Sequence, residues 1–294
     1  MQTIWRGGNS TFLEGHREAW RTLFGDTNSP DAWIQSVQRE GYRAAFCPLK
    51  SLDDLDAVMA YRSAAEEADI LIAEVGAFGN NPISPDDEIR KTSIRNCQAK
   101  LALADEIGAR CTVNVTGSRG DTWAGHHQDN LTTDTFDLIV ESVREIVDAV
   151  QPKRAVYALE TMPWMYPDSV DSYLELLRAI DREGCGVHFD PVNLVNSPQR
   201  YYENAQMIRE SFKKLGDRIV SCHAKDIEMS EKLTVHLDEV APGKGRLDYR
   251  VFLSEVHACE ADLPVMLEHL RGEEAYREVA TYIRSAGHEL GIEL

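Results

Sequence analysis

Cationic residues are scarce in this 294-residue sequence relative to anionic ones. The 31 Lys and Arg residues are outnumbered by 49 Asp and Glu residues, which gives a formal net charge of −18. Binding to nucleic acid or to anionic lipid requires clustered cations rather than a net repulsive field. We therefore expect neither nucleic acid nor a membrane surface as a partner.

Paired cysteines, a secretory leader and long apolar runs are also absent. The six cysteines are scattered without a CxxC pair, which is typical of reduced thiols. The N-terminal residues MQTIWRGGNS lack the charged and apolar regions of a leader. No apolar run reaches the roughly 18 residues that cross a bilayer. These absences predict a cytoplasmic enzyme or binding protein.

Short apolar runs alternate with longer segments of helical period along most of the chain. This alternation is typical of repeated βα units around a parallel sheet. Ser51, Ser84 and Asp168 are helix-start signals for three of the helical segments. Seven apolar runs predict strands, at residues 42–48, 70–76, 110–115, 155–160, 185–190, 219–223 and 264–268, and a weaker eighth run lies at 3–8.

Eight such units fit one α/β domain, a single (β/α)8 TIM barrel over residues 1–294. No linker or low-complexity segment marks a domain boundary. The alternative fold is a doubly wound open sheet, but its usual Gly-rich phosphate loop after the first strand is missing.

Four of the late apolar runs end in one ionisable residue each, namely Glu160, Asp190, His223 and Glu268. In a parallel barrel these positions meet at the carboxyl-terminal rim, where active sites lie. Three carboxylates so close would repel one another unless a cation neutralised them. Oxygen-rich ligation with one imidazole favours Mn²⁺, with Mg²⁺ or Co²⁺ as alternatives. The competing interpretation is four isolated polar strand ends.

Two residues beside these strand ends are candidates for binding substrate. His188 shares a strand face with Asp190, and Lys225 shares one with His223, because alternate strand residues point to the same side. The structural alternatives are a core histidine at position 188 and a salt bridge from Lys225 to Asp226 or Glu228.

Three further candidates for binding substrate follow other apolar runs. Glu74 ends the run ILIAE, Asn114 lies in CTVNVTG, and Trp164 follows Glu160 in MPWMYP. A carboxylate or amide would hydrogen-bond a hydroxyl group of a ligand, and an indole would stack on an apolar face of a ligand. The alternatives are a helix cap for Glu74, a loop-fixing role for Asn114 and core filling for Trp164.

The polar segment SRGDTWAGHHQDN, residues 118–130, carries His126 and His127. In a barrel the βα loops determine specificity, so both histidines are candidate acid/base groups. Incidental histidines in a solvated loop are the alternative.

Five segments together resemble the xylose-isomerase-like TIM barrels, a family of sugar phosphate isomerases and epimerases. They are ALETMPW around Glu160, VHFDPVN around Asp190, CHAKD around His223, PGKGRLDY at 242–249 and MLEH around Glu268. The resemblance implies that the four rim residues bind one divalent metal and that Glu160 and Glu268 are the acid/base pair. The ketose epimerases usually have a histidine three residues after the metal-binding aspartate, where this chain has Asn193.

The resemblance implies a sugar isomerase or epimerase that abstracts a proton next to a carbonyl and forms an enediolate. It also leaves a lyase open, because the family includes inosose dehydratases, whose HxKD resembles HAKD, and large subunits of C-glycoside deglycosidases. A deglycosidase would use His126 or His127 for proton transfer and would have a small second subunit.

The partner expected in every enzymatic case is a small sugar or sugar derivative. Assembly of the chain into a homo-oligomer stays open.

Two further alternatives concern the function of the barrel. Apurinic endonucleases share the barrel but gather zinc from many more histidines. A non-catalytic sugar-binding barrel is the remaining alternative.

Overall fold

Seven parallel strands form a barrel wall in the computed structural model, which describes residues 29–259 and 262–292. Their bounds are Ala44–Phe46 (β1), Leu71–Gly76 (β2), Cys111–Asn114 (β3), Val156–Glu160 (β4), Cys185–Phe189 (β5), Ile219–Ala224 (β6) and Val265–Leu267 (β9). They are paired in the order β1-β2-β3-β4-β5-β6-β9. Six of the predicted runs contain one strand each, and the run at 219–223 ends one residue before its strand does, so the seven strands and the TIM-barrel class are confirmed. The eighth predicted strand, at residues 3–8, lies outside the described residues.

Helices alternate with the strands and surround the barrel. Asp54, rather than Ser51, caps the second helix, and Asp86 and Ser169 cap the third and fifth. The helices are Pro30–Arg39 (α1), Leu55–Glu67 (α2), Asp87–Ile107 (α3), Thr133–Val150 (α4), Val170–Ile180 (α5), Pro191–Leu194 (α6), Pro198–Tyr202 (α7), Asn204–Leu215 (α8), Tyr249–His257 (α9) and Gly272–Glu289 (α10). Short 3₁₀ turns lie at Gln128–Leu131 and Gly216–Arg218.

A hairpin interrupts the βα pattern after β6. Its strands, Asp226–Ser230 (β7) and His236–Val240 (β8), pair antiparallel and form a separate two-stranded sheet. The sequence interpretation missed this hairpin because its residues are mostly polar and several of them are exposed. The hairpin follows directly on the strand that carries His223, so it lies beside the barrel mouth.

The main hydrophobic core lies between the barrel wall and the helices. Helix α4 shows the pattern, because Ile139, Val143, Ile146 and Val147 recur at helical spacing and are all buried. Val187 of β5 belongs to the same core. Burial of each such side chain stabilises the fold by about 1.5–3 kcal/mol.

The side chains inside the barrel change from apolar to ionisable toward the mouth. Cys111, Val113 and Ala158 form a small buried apolar cluster. Alternate residues of a strand share a face, so the inward face of β4 continues from Ala158 to Glu160. Charged groups therefore collect at the carboxyl end of the barrel, where the strands end.

Candidate metal centre

The four rim residues of the sequence prediction lie together. His223 Nδ1 is 3.2 Å from Glu160 Oε1, 3.6 Å from Asp190 Oδ2 and 3.0 Å from Glu268 Oε2. One ligand atom from each of the four lies within 4.8 Å of the others. We call these four residues the acidic cluster. Glu160 ends β4, Asp190 and Glu268 follow β5 and β9, and His223 lies near the end of β6.

The acidic cluster has the chemistry of a divalent-cation site. Asp190, Glu160 and His223 are at most 4% exposed, so water screens their charges little. Oδ2 of Asp190 and Oε2 of Glu268 are buried and, among the described residues, face His223 and Lys225 at ion-pair distance without a well-directed hydrogen bond. Three carboxylate oxygens and one imidazole nitrogen suit Mn²⁺, Mg²⁺ or Co²⁺. The residues present therefore fit one such ion.

The carboxylates of the acidic cluster shift the pKa of His223. Burial by itself would lower this pKa, but Glu268, Glu160 and Asp190 raise it well above its ordinary value. For Glu268, burial would raise the pKa, whereas His223 and Lys225 hold it well below its ordinary value. The Glu268 carboxylate thus stays ionised and attracts a cation.

The segment Asp190–Pro191–Val192–Asn193 fixes two residues of the acidic cluster, Asp190 and Glu160. Asp190 caps α6, and its Oδ1 accepts hydrogen bonds from the backbone N–H of Val192 (2.9 Å) and Asn193 (3.2 Å). Its Oδ2 is left to face the acidic cluster. The Asn193 side chain donates through Nδ2 to Glu160 Oε1 at 3.1 Å. Asn193 is therefore a site residue whose contact sequence reasoning did not identify.

The side chain of Lys225 points toward the acidic cluster. Its Nζ lies 2.8 Å from Asp190 Oδ2, 2.7 Å from Glu268 Oε2 and 3.8 Å from Glu160 Oε1. Burial by itself would lower the pKa of Lys225, but these carboxylates raise it well above its ordinary value. The structure thus places Lys225 at the site rather than in the alternative salt bridges with Asp226 or Glu228.

Glu74 and His188 form a fully buried pair beneath the acidic cluster. His188 Nε2 is 2.9 Å from Glu74 Oε1, and the Ser221 hydroxyl donates to the same oxygen. Glu74 Oε2 lies 3.9 Å from His223 Nε2, and the His188 and His223 rings meet edge to face at 4.0 Å. Burial would raise the pKa of Glu74, but His188, His223 and Ser221 lower it overall.

The position of Glu74 corrects the sequence prediction that it lies at the rim. Strand β2 continues to Gly76, two residues past Glu74, so the carboxylate lies inside the barrel and not at the mouth. Because Glu74 and His188 are wholly buried, they support His223 from below. Direct contact of either residue with substrate stays a prediction.

The remaining predicted residues lie around the loops. The Asn114 amide donates to the carbonyl of Asn80 and to the Tyr157 hydroxyl, both at 3.3 Å, which matches the loop-fixing alternative. The indole of Trp164 donates to the carbonyl of Ala124 at 3.0 Å, and 36% of the residue is exposed. Trp164 thus connects the loop after β4 to the loop that carries the two histidines.

His126 and His127 lie apart from the acidic cluster. His127 Nδ1 accepts from the backbone N–H of Asp129 and begins the 3₁₀ turn Gln128–Leu131. His126 is exposed. Among the described residues, no carboxylate of the acidic cluster is within 4.0 Å of either imidazole. The structure does not bring these two predicted acid/base groups into the cluster.

Two further features at the mouth were missed by sequence reasoning. Asp226 accepts four backbone hydrogen bonds of 2.8–3.0 Å, three of them from Gly243, Gly245 and Leu247 of the PGKGRL loop. Glu239 of the hairpin lies 2.7 Å from His269 Nδ1 and 3.7 Å from Lys225 Nζ. The only sequence signals were the aspartate of HAKD and the histidine of MLEH.

Comparison with known protein families finds the same TIM-barrel architecture. The family described as xylose isomerase-like TIM barrel matches residues 34–286. None of the curated proteins matches the sequence. Across the described residues, no helix combines the length and apolarity that a membrane crossing requires.

Three solved structures illustrate the range of similar barrels. A D-psicose 3-epimerase from Clostridium cellulolyticum H10 with D-tagatose has 15% identity and a TM-score of 0.64, over 89% of this chain and 93% of that one. A xylose isomerase-like protein from Mycobacterium smegmatis in complex with magnesium has 15% identity and a TM-score of 0.62, over 88% and 90%. Endonuclease IV from Thermus thermophilus has 15% identity and a TM-score of 0.69, over 91% and 97%. At this identity the likeness shows the fold.

Proposed function

Because the chain belongs to the xylose isomerase-like TIM barrel family, we propose that it is a divalent-metal-dependent isomerase or epimerase of a sugar or sugar derivative. The reaction abstracts a proton from carbon next to a carbonyl and passes through an enediolate. The observation that carries the proposal is the acidic cluster, in which three carboxylates and one imidazole converge at the barrel mouth.

Glu160, Asp190, His223 and Glu268 would hold the metal, and Mn²⁺ is the ion we propose. A divalent ion bound there would polarise the carbonyl and stabilise the negative charge of the enediolate. The known barrels of this shape include one in complex with magnesium, which supports a hard divalent ion. The oxygen-rich ligand set supports Mn²⁺ or Mg²⁺ over a thiolate-type zinc site.

Glu160 and Glu268 are the proposed bases. Glu268 is the more accessible, with 21% of its side chain exposed, whereas the Glu160 side chain is 5% exposed and accepts a hydrogen bond from Asn193. One carboxylate suffices to move a proton between neighbouring carbons. Inversion at one carbon requires two, because the proton leaves one face and returns to the other.

Other residues would position the sugar. The Lys225 ammonium stays protonated beside the acidic cluster and would hold an oxygen of the substrate. Trp164 would present its partly exposed ring to an apolar sugar face, and His126 and His127 would contact substrate from their loop. Glu74, His188 and Asn114 would act through hydrogen bonds that fix the site.

A lyase is the second candidate. The observation that favours it is His269, which Glu239 holds at 2.7 Å and whose Nε2 lies 3.4 Å from Glu268 Oε1. After proton abstraction by Glu268, an imidazole beside it would deliver a proton to a leaving oxygen or carbon in a β-elimination. A deglycosidase of this kind would be isolated with a small second subunit, whereas an isomerase would act alone or as a homo-oligomer.

Solvent-deuterium exchange tests the proposal. The protein is incubated with Mn²⁺ in deuterated water and a panel of ketoses, keto-glycosides and inososes, and label uptake and products are read together. We expect deuterium next to the carbonyl of one substrate class together with an isomerised or epimerised product. An eliminated product would support the lyase instead.

Matched variants connect the exchange to the acidic cluster. Glu160→Gln and Glu268→Gln are each expected to lower exchange at least about 100-fold, as loss of a general base does. Glu183→Gln, at an exposed position, is the control and keeps wild-type exchange. If no compound of the panel exchanges, or if both cluster variants exchange like wild type, the enediolate proposal is wrong.

A further inference from the structure

The Lys225 ammonium shares ligand atoms with the proposed metal. Its Nζ is 2.8 Å from Asp190 Oδ2 and 2.7 Å from Glu268 Oε2, the same oxygens that face His223 Nδ1. The side chain is 3% exposed, and the Tyr249 hydroxyl donates to the Lys225 carbonyl at 2.8 Å and fixes the backbone. Lys225 is therefore a built-in cation at the site and not a mobile surface lysine.

The formal charges of the acidic cluster and of Lys225 can be added. Glu160, Asp190 and Glu268 carry three negative charges, and Lys225 returns one positive charge. His223 must be neutral to bind a metal. Glu239 and Glu74 lie outside the acidic cluster, in contact with His269 and His188, and are not part of this sum. The remaining charge of the cluster is minus two, which a single divalent ion neutralises.

We propose that Lys225 is a fixed counter-cation that sets the charge of the acidic cluster to minus two, which matches the site to one divalent ion and limits the affinity for that ion. This inference rests on the metal site of the proposed function. An ammonium in contact with two ligand oxygens repels the incoming ion and competes for the same lone pairs. Without it, the cluster binds cations more tightly and shifts its preference toward higher charge.

The test is a metal titration of the whole chain that does not depend on turnover. Lys225→Met removes the charge and keeps the length of the side chain. Lys214→Met is the matched control, because Lys214 also pairs with two carboxylates, Asp171 and Glu210, but at the surface. Free Mn²⁺ is measured by its electron paramagnetic resonance signal, and Tb³⁺ binding by its luminescence.

We expect Lys225→Met to bind Mn²⁺ at least about tenfold more tightly than wild type, and to gain more for Tb³⁺ than for Mn²⁺, since the attraction scales with ionic charge. The metal-free variant should melt at a lower temperature than metal-free wild type and recover when Mn²⁺ is added. Lys214→Met should match wild type in both affinities.

The outcomes separate this inference from the proposed function. If wild type binds Mn²⁺ and folded Lys225→Met binds it equally or more weakly, the counter-cation role is wrong and the metal site stands. If neither protein binds Mn²⁺, both proposals are wrong. Lys225→Gln repeats the comparison should the methionine variant not fold, with the same expected direction.

Discussion

A single imidazole connects the two layers of the site. His223 presents Nδ1 to three carboxylates and Nε2 to Glu74, whose Oε2 is buried without a hydrogen bond. If Nδ1 held the proposed metal, the ring proton would lie on Nε2, which faces Glu74 Oε2 at 3.9 Å. A carboxylate behind a ligand histidine orients the ring and increases its basicity.

Replacement of Glu74 tests this arrangement. Glu74→Gln is expected to weaken Mn²⁺ binding by about 10–100-fold, because partners behind ligand histidines contribute affinity of that order. The sign is opposite to that expected for Lys225→Met. Affinity is measured by Mn²⁺ titration, and Glu67→Gln, an exposed site on α2, is the control. Wild-type affinity in a folded Glu74→Gln protein would show that Glu74 serves the fold alone.

At the scale of elements, the loop of residues 241–247 is clamped to the start of the hairpin by Asp226. Asp226 Oδ2 accepts from Gly243 and Gly245, and Oδ1 accepts from Leu247. A Cβ at Gly245 would lie 2.4 Å from Asp226 Oδ1, so the close approach requires glycine. The carboxylate next to Lys225 in sequence thus organises a loop at the mouth.

Asp226→Asn is expected to free this loop. An amide cannot accept hydrogen bonds with both of its polar atoms, so the donors facing its nitrogen lose their partner at a cost of about 1.5–3 kcal/mol. Hydrogen exchange at Gly243 and Gly245 should become faster, and urea unfolding should report the lower stability. Asp238→Asn, an exposed position on the same hairpin, should leave both unchanged. Unaltered exchange in Asp226→Asn would contradict the clamp.

At the scale of the molecule, the net charge of the chain bears on whether it binds DNA. Endonuclease IV has a TM-score of 0.69 with it, yet the sequence carries a net charge of −18. Contacts with phosphates release counterions and supply most of the affinity for DNA. A chain with so large a negative charge repels phosphates and lacks this contribution to DNA affinity.

We therefore predict no binding to duplex DNA that contains an abasic site. Fluorescence anisotropy at about 50 and 150 mM salt, with protein up to about 100 µM, should show no change, whereas a non-specific binder with a dissociation constant of about 10⁻⁴–10⁻⁶ M would be at least half bound at that concentration. Binding that weakens as salt increases would contradict the prediction and would reopen a nucleic-acid function.

Local sequence patterns were sufficient to predict the seven strands and the four residues of the acidic cluster. Apolar runs and helical periods are local patterns, and the ends of parallel strands meet at one rim whatever the rest of the fold does. Glu160, Asp190, His223 and Glu268 were therefore predictable as neighbours. Their roles as metal ligands stay a proposal, as does the choice of Mn²⁺.

The partners of the groups around that cluster became known only from the folded chain. Lys225 pairs with Asp190 and Glu268 across strands instead of with its sequence neighbour Asp226, and Glu74 lies below the rim because β2 continues past it. Such contacts join residues that are far apart in sequence, and their distances depend on strand register and burial. No local pattern encodes these quantities, so the sequence named the residues of the site while the fold determined which of them touch.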